Sequence, residues 1–332
     1  MNRFARPGRR EFLTGMGGAL VLGAGGRQLA NWNEWSQRAD VVIADAPSYD
    51  IDLESVLKRG LAELGLGPAW VRGKRVLLKP NLVETSLGRP QINTHPLVVR
   101  AAAETFRSWG ARQIAVGEGP GHCRDAMLVV DESGLYPILK QSRLSFIDLN
   151  QDEIVFTPNR LRDSTLARLA LPAAAARADI VVSMPKMKTH HWVGVTLAMK
   201  NLFGVMPGLV YGWPKNVLHF EGIEQSILDI TATVRPRLAI VDGIVGMEGD
   251  GPLMGTARTV GVLVLGMNLP AVDATCTRLM GLNPWRVAYL AQASGRLGPI
   301  SESHIRQRGE TIASRAQDFE LLDQPSLAVL KT

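Results

Sequence analysis

Residues 179–204 read DIVVSMPKMKTHHWVGVTLAMKNLFG, and this stretch joins an apolar strand pattern to an unusual concentration of basic groups. The first part, DIVVSM, is rich in β-branched residues and is typical of a strand buried on both faces. The part after it carries three lysines, two adjacent histidines and no acidic residue. A core strand that runs into titratable side chains indicates an α/β protein with functional groups at a strand end.

Apolar segments of this kind recur along the chain and alternate with amphipathic ones. The predicted strands are residues 41–47, 75–83, 113–120, 144–149, 179–185, 237–246 and 260–268. Residues 52–65 place leucine and valine at helical spacing and predict a covering helix, as do residues 95–110. Apolar strands separated by helices predict an α/β fold with a mostly parallel sheet and helices on both faces. We assign it to a single domain over residues 40–330, and a division into two sub-lobes is left open.

The distribution of charge excludes one class of partner. The formal net charge is +6, but residues 1–30 alone hold five arginines against one glutamate. The remaining chain is therefore close to neutral. A nucleic-acid-binding face needs a strongly basic patch or stripe, so no nucleic-acid partner is expected.

Residues 1–30 resemble a twin-arginine export signal. Arg9 and Arg10 precede a weakly apolar, glycine-rich run over residues 12–26, which is shorter than the ~20 apolar residues of a membrane span. A disordered basic tail is the alternative interpretation. An export signal implies the twin-arginine machinery as a partner and a periplasmic or otherwise exported location; its cleavage is left open.

Polar side chains follow several of the predicted strands at their carboxyl ends, where open parallel sheets bind ligands. Ammonium groups gathered at such a place can hold a carboxylate or a phosphate, so we expect a small anionic molecule as ligand. The candidate substrate-binding residues are Lys79, Asn81, His122, Lys200 and Asn201.

Three residues of the opening stretch are candidates for catalysis. Lys186 and Lys188 point the same way if the chain stays extended, and a desolvated lysine beside another cation has a lowered pKa that suits a base or a nucleophile. His190 adds a group that titrates near neutral pH and can act as general acid or base. A solvated basic loop without a chemical role is the alternative.

A divalent metal site is a second possibility. Carboxylates occur in a glycine-rich segment over residues 242–251, and with histidines they form a nitrogen and oxygen donor set suited to zinc, iron or nickel. The candidate metal ligands are His190, His219, Asp242 and Glu248. No HExxH-like spacing sets a geometry, so a structural glycine-rich loop is the alternative.

The cysteine content bears on redox cofactors. The chain has two cysteines, Cys123 and Cys276, which are too few for an iron–sulfur cluster, so none is expected. Whether they pair with each other is left open.

Five motifs of this sequence resemble, in order, those of the domain-of-unknown-function 362 family. The motifs are LLKPNLV (77–83), THP (94–96), PKMKTHHWVGVTLAMKNLFG (185–204), VDGIVGMEGDGP (241–252) and PAVDA (270–274). The resemblance covers about residues 75–280. Many members of that family carry ferredoxin-type clusters, whose cysteines this chain lacks, and the family name implies no settled reaction.

Three classes of function remain open at this point. The first is an exported enzyme that uses lysine and histidine for proton transfer on a small anion, as an isomerase, racemase, lyase or hydrolase. The second is an enzyme dependent on a metal or redox cofactor, and the third is a periplasmic binding or maturation protein without turnover. In each case we expect one shared cleft formed by Lys79, Lys186, Lys188, His190, Lys200, Asp242 and Glu248.

Overall fold

The computed structural model describes residues 38–86, 88–122 and 125–331. The export signal expected over residues 1–30 and the thiol of Cys123 lie outside these residues, whereas Cys276 is a buried free thiol. The strands are β1 Ala39–Asp45, β2 Arg75–Pro80, β3 Gln113–Glu118, β4 Ser145–Asp148, β5 Ile154–Pro158, β6 Arg168–Pro172, β7 Ile180–Met184, β8 Lys186–His190, β9 Gly194–Thr196, β10 Leu238–Glu248, β11 Thr256–Gly266 and β12 Ile305–Gly309.

Helices connect most of these strands. The α-helices are α1 Leu53–Glu63, α2 Pro68–Val71, α3 Pro96–Ser108, α4 Ala126–Glu132, α5 Leu135–Gln141, α6 Ala173–Ala176, α7 Ala198–Asn201, α8 Gly208–Tyr211, α9 Asn216–Phe220, α10 Ile223–Val234, α11 Leu269–Leu279, α12 Ala288–Ala293, α13 Ile312–Arg315 and α14 Pro325–Ala328. Short 3-10 turns cover Leu202–Val205, Pro284–Arg286, Glu302–His304 and Val329–Lys331. None of the helices in the described ranges is long and apolar enough to cross a membrane.

The central sheet has ten strands in the order β12-β1-β11-β10-β7-β2-β3-β4, with β8 beside β10 and β9 beside β8. Most neighbours are parallel; the antiparallel contacts are those of β11 with β1 and β10, and that of β8 with β9. Strands β5 and β6 form a separate antiparallel pair. The predicted mostly parallel α/β fold is confirmed.

Apolar side chains lie on both faces of the sheet, which explains the nearly continuous apolar strands. In β2, Leu77 packs in one core cluster, whereas Val76 and Leu78 pack in the other. Helices α1 and α3 cover the second face, and α10 and α11 cover the first. Each fully buried leucine or valine contributes roughly 1.5–3 kcal/mol, so the two faces supply most of the driving force for folding.

Two sequence interpretations need correction, and one is confirmed. The glycine-rich segment from Asp242 to Glu248 is not a loop but part of the long strand β10. A Cβ atom at Gly246 would lie 2.8 Å from a backbone carbonyl oxygen of β8, so glycine here permits close strand approach rather than a turn. The spacing of four residues between Thr196 and Lys200 predicts one shared helix face, but Thr196 lies in β9. Strand β2 is buried with Lys79 near its carboxyl end, as predicted.

Candidate functional site

A cavity of about 270 Å³ lies beyond the carboxyl ends of β2, β3 and β8. This volume is close to the lower end of the ~300–1,000 Å³ typical of small-molecule sites, so it suits a small metabolite. All five residues predicted to bind substrate line it, and so does His190. These six are Lys79, Asn81, His122, His190, Lys200 and Asn201.

Lys79 and Glu118 form a buried ion pair in the wall of this cavity. The Lys79 Nζ donates to Glu118 Oε2 at 2.6 Å, to Asn201 Oδ1 at 2.8 Å and to the carbonyl oxygen of the following proline at 2.9 Å. Glu118 also accepts from the backbone amides of Leu82 and Gly119. Burial lowers the Lys79 pKa, and Glu118 opposes this shift. With three acceptors placed around it, this ammonium is a fixed charge that its carboxylate neutralises.

Two polar oxygen atoms in the wall lack a hydrogen bond. The Asn81 amide nitrogen donates to Asn201 Oδ1 at 3.3 Å, but its buried Oδ1 has no partner within the described residues. The same is true of the Thr196 hydroxyl, which also lines the cavity. A buried polar atom without a partner costs about 1–3 kcal/mol, so these two atoms are suited to bind a polar group of a ligand.

The short helix α7, which carries Lys200, is held in place by an acid from another part of the chain. Asp273 lies in α11 and accepts from the backbone amides of Ala198 at 2.7 Å and Met199 at 3.0 Å. Asp273 is fully buried; burial raises its pKa to about 7, while the two amide hydrogen bonds lower it. It satisfies amides at the start of α7 that have no intrahelical acceptor and thereby orients Lys200.

The Lys200 amine differs from that of Lys79 because no acid within residues 38–86, 88–122 and 125–331 forms an ion pair with it. Its Nζ lies 3.9 Å from the centroid of the Phe203 ring, and no hydrogen bond or ion pair to the described part of the chain is formed. Burial, with a smaller contribution from the Lys79 charge, lowers the Lys200 pKa to about 7. At neutral pH the amine is therefore present in both protonation states, which suits proton transfer.

Lys215 is a second cavity lysine, and the sequence interpretation missed it. Its Nζ donates to the buried Asn150 Oδ1, and burial lowers its pKa to about 8, with Glu118 opposing the shift. Lys215 follows no strand, so the rule of strand ends does not identify it. The one sequence signal is its spacing of four residues from His219, which also lines the cavity.

Two of the three cavity histidines that the sequence singled out, His190 and His219, have opposite hydrogen-bonding properties. The backbone N–H of Trp192 donates to His190 Nδ1 at 3.1 Å, so the hydrogen of the neutral ring is on Nε2. Burial and the nearby Lys200 charge lower the His190 pKa well below its usual value. The His219 Nδ1 lies 3.0 Å from the Lys215 carbonyl oxygen, which can only accept, so its Nε2 has the free lone pair. Together the rings offer one donor and one acceptor.

Lys186 does not line the cavity, although it is two residues from Lys188 and four from His190. Its Nζ donates to Asp242 Oδ2 at 2.6 Å and to the Tyr49 hydroxyl at 2.9 Å, and that hydroxyl donates to Asp242 Oδ1 at 3.0 Å. Both charged side chains are fully buried. This satisfied network indicates a structural role for Lys186.

Lys188 also lies outside the cavity lining. Its Nζ donates to the carbonyl oxygens of Ile92 at 2.9 Å and Pro252 at 3.3 Å. Burial, and then the charges of Lys186 and Lys200, lower its pKa well below the usual value. Its amine is therefore engaged by two backbone carbonyl oxygens, and one of these belongs to Pro252, which itself lines the cavity.

The predicted metal site is not assembled. His190 and His219 line the cavity, but Asp242 is paired with Lys186, and Glu248 accepts from the backbone amide of Glu320 at 3.0 Å. Within residues 38–86, 88–122 and 125–331, no group of three histidine, cysteine or acidic side chains is placed to hold a metal ion. Of the seven residues expected to share one cleft, Lys79, His190 and Lys200 line the cavity, whereas Lys186, Lys188, Asp242 and Glu248 do not.

Comparisons with known proteins give one family match and two distant similarities. The family model described as Domain of unknown function (DUF362) matches residues 76–278. Over 240 residues the chain is 29% identical to the thylakoid-associated protein sll1697 of Synechocystis sp., which covers 70% of this chain and 71% of that protein. The lactate racemase apoprotein from Thermoanaerobacterium thermosaccharolyticum matches with a TM-score of 0.41 and 14% identity, over 62% of this chain and 51% of that structure. This chain thus spans about half of that structure, and the similarity is too low to indicate a common reaction.

Proposed function

We propose that this chain, which belongs to the DUF362 family, is an enzyme that transfers a proton on a small anionic substrate bound in the cavity. The observation that carries the proposal is the amine of Lys200, which lines the cavity without a carboxylate partner among the described residues. A general acid or base is most effective when its pKa is near the working pH, and the Lys200 pKa is about 7.

The other cavity groups have complementary roles in this proposal. Lys215 adds positive charge for the anion, and the Asn81 Oδ1 orients a donor group of the substrate. The Nε2–H of the neutral His190 ring donates a hydrogen bond to the substrate, and the Nε2 lone pair of His219 accepts a proton. The acid–base role is therefore assigned to Lys200, with His190 as a hydrogen-bond donor to the substrate. Lys188, whose amine is bound to two carbonyl oxygens, is left outside the chemistry.

Isotope exchange detects proton transfer even when the product of the reaction has not been identified. We would incubate the protein in D₂O with short carboxylates and their 2-oxo and 2-hydroxy derivatives and measure deuterium uptake by mass spectrometry. In Lys200→Gln we expect exchange to fall by roughly 10²-fold or more, the usual size of a general acid–base contribution. The control is Lys58→Gln, which removes a lysine from the exposed surface of α1 and should leave exchange unchanged.

Two results would contradict the proposal. Exchange that is equally fast in Lys200→Gln removes this amine from the chemistry. Binding of the carboxylates without exchange of any of them indicates a binding protein without turnover.

We also propose that the protein is exported from the cytoplasm through the twin-arginine machinery. The paired Arg9 and Arg10 before an apolar, glycine-rich run support this, and a relative named for the thylakoid is consistent with a location outside the cytoplasm. Cell fractionation of the double variant Arg9→Lys, Arg10→Lys should find the protein retained in the cytoplasm, while Arg27→Lys serves as control. Export of the double variant at the normal level would disprove the assignment.

A further inference from the structure

The cavity has a polar inner end and an apolar outer end. Lys79, Asn81 and Thr196 are buried to more than nine-tenths at the inner end. Trp192 and Met254 also line the cavity, but 64% and 70% of their surfaces are exposed. Apolar side chains at the mouth of a polar cavity gain free energy when an apolar part of a ligand covers them.

The ammonium of Lys215 is the group at the inner end that can balance a negative charge of a ligand. Lys79 is neutralised by Glu118 at 2.6 Å, and the Lys200 amine is used in the proton transfer. The Lys215 ammonium donates to Asn150 Oδ1 and forms no ion pair with an acid among the described residues. A single ammonium balances one negative charge. A carboxylate meets that requirement, while a phosphate monoester brings a charge of about −1.5 to −2 at pH 7.

The outer end disfavours a second negative charge. Asp250 lines the cavity, and its half-exposed carboxylate lies 3.7 Å from His191 Nδ1. A ligand with an acid at both ends would place its second acid near Asp250, where like charges repel. The group that occupies the mouth is therefore uncharged.

We propose that the cavity binds a monocarboxylate whose remaining part is uncharged and apolar, with its carboxylate at Lys215 and its apolar part against Trp192 and Met254. This inference rests on the proposed function in that it names the class of substrate for the same site. It assigns a recognition role to Trp192 and Met254, which the proton-transfer chemistry does not use.

Calorimetric titration of the full chain with acetate, butyrate, hexanoate and butyl phosphate tests the inference. Burial of each methylene strengthens binding by up to roughly fourfold, so hexanoate should bind at least roughly tenfold more tightly than acetate. Butyl phosphate should bind more weakly than butyrate. Lys215→Gln should weaken the binding of all three carboxylates.

Variants at the mouth separate the apolar contact from the charge contact. In Trp192→Ala, Met254→Ala the affinity for acetate should stay unchanged and the preference for hexanoate should largely disappear. Both side chains are exposed, so the fold should tolerate their removal. Trp285→Ala is the matched control, because Trp285 is also exposed, at 46%, but does not line the cavity.

Several results would overturn the inference: equal affinities along the carboxylate series, an unchanged hexanoate preference in the double variant, tighter binding of butyl phosphate than of butyrate, or no saturable binding of hexanoate. The affinities measured by calorimetry do not depend on turnover. Chain-length-dependent binding without deuterium exchange refutes the catalytic proposal alone. Exchange on short acids without chain-length dependence refutes this inference alone.

Discussion

The pair formed by Lys186 and Asp242 offers the most direct test of which charges are structural. Its Nζ–Oδ2 distance is 2.6 Å, both side chains are inaccessible to solvent, and Asp242 accepts further hydrogen bonds from Tyr49 and the His95 amide. In Asp242→Asn the ammonium of Lys186 stays buried without its counter-charge. Loss of one partner of a buried ion pair costs about 3–5 kcal/mol, so we expect the free energy of unfolding to fall by that amount.

Urea unfolding followed by circular dichroism measures this change. The control is Glu54→Gln, which breaks the exposed pair of Glu54 and Lys58 at 2.6 Å and should change the free energy of unfolding by less than about 0.5 kcal/mol. The double variant Lys186→Met, Asp242→Leu removes both charges and should recover much of the lost stability. The fraction that remains folded should retain deuterium exchange.

Two outcomes would refute this reasoning. A stability of Asp242→Asn close to that of the wild type would mean that the pair is not buried as described. A folded Lys186→Met, Asp242→Leu protein without deuterium exchange would return Lys186 to the chemistry, as the sequence pattern suggests.

Three further predictions concern Lys200 and its surroundings. Folding lowers the Lys200 pKa from 10.5 to about 7, so between these pH values the folded protein binds fewer protons than the unfolded chain. The free energy of unfolding of the wild type relative to Lys200→Met, measured in urea, should therefore rise with pH across this window. In Asp273→Ala, α7 loses its two amide hydrogen bonds, and kcat for exchange should fall at least tenfold. Asp273→Asn keeps one acceptor oxygen and should recover part of this loss. Equal rates in the two variants would contradict a positioning role for Asp273. A Cβ atom at Gly204 would overlap the Glu118 carboxylate, so Gly204→Ala should lower the thermal midpoint, while Gly67→Ala, where the space is open, should not.

The sequence determined the parts of this protein that depend on local information. The spacing of apolar residues is a property of each segment, so it was sufficient to predict β2, α1 and the two-sided burial of the sheet. The position of Lys79 at a strand end followed from the same pattern. The family motifs were likewise local and led to the confirmed assignment to DUF362.

Only the tertiary structure decided which charges meet. Lys186 lies close to Lys188 and His190 in the sequence, but the register of β8 against β10 places it opposite Asp242, which is 56 positions away, and this pairing removes it from the cavity. Lys215 reaches the cavity from the connection between α8 and α9, which does not directly follow a strand. The register of distant strands and the surroundings of a buried amine both depend on how distant segments assemble. For this reason the sequence alone could not distinguish the role of Lys200 from the roles of Lys186 and Lys188.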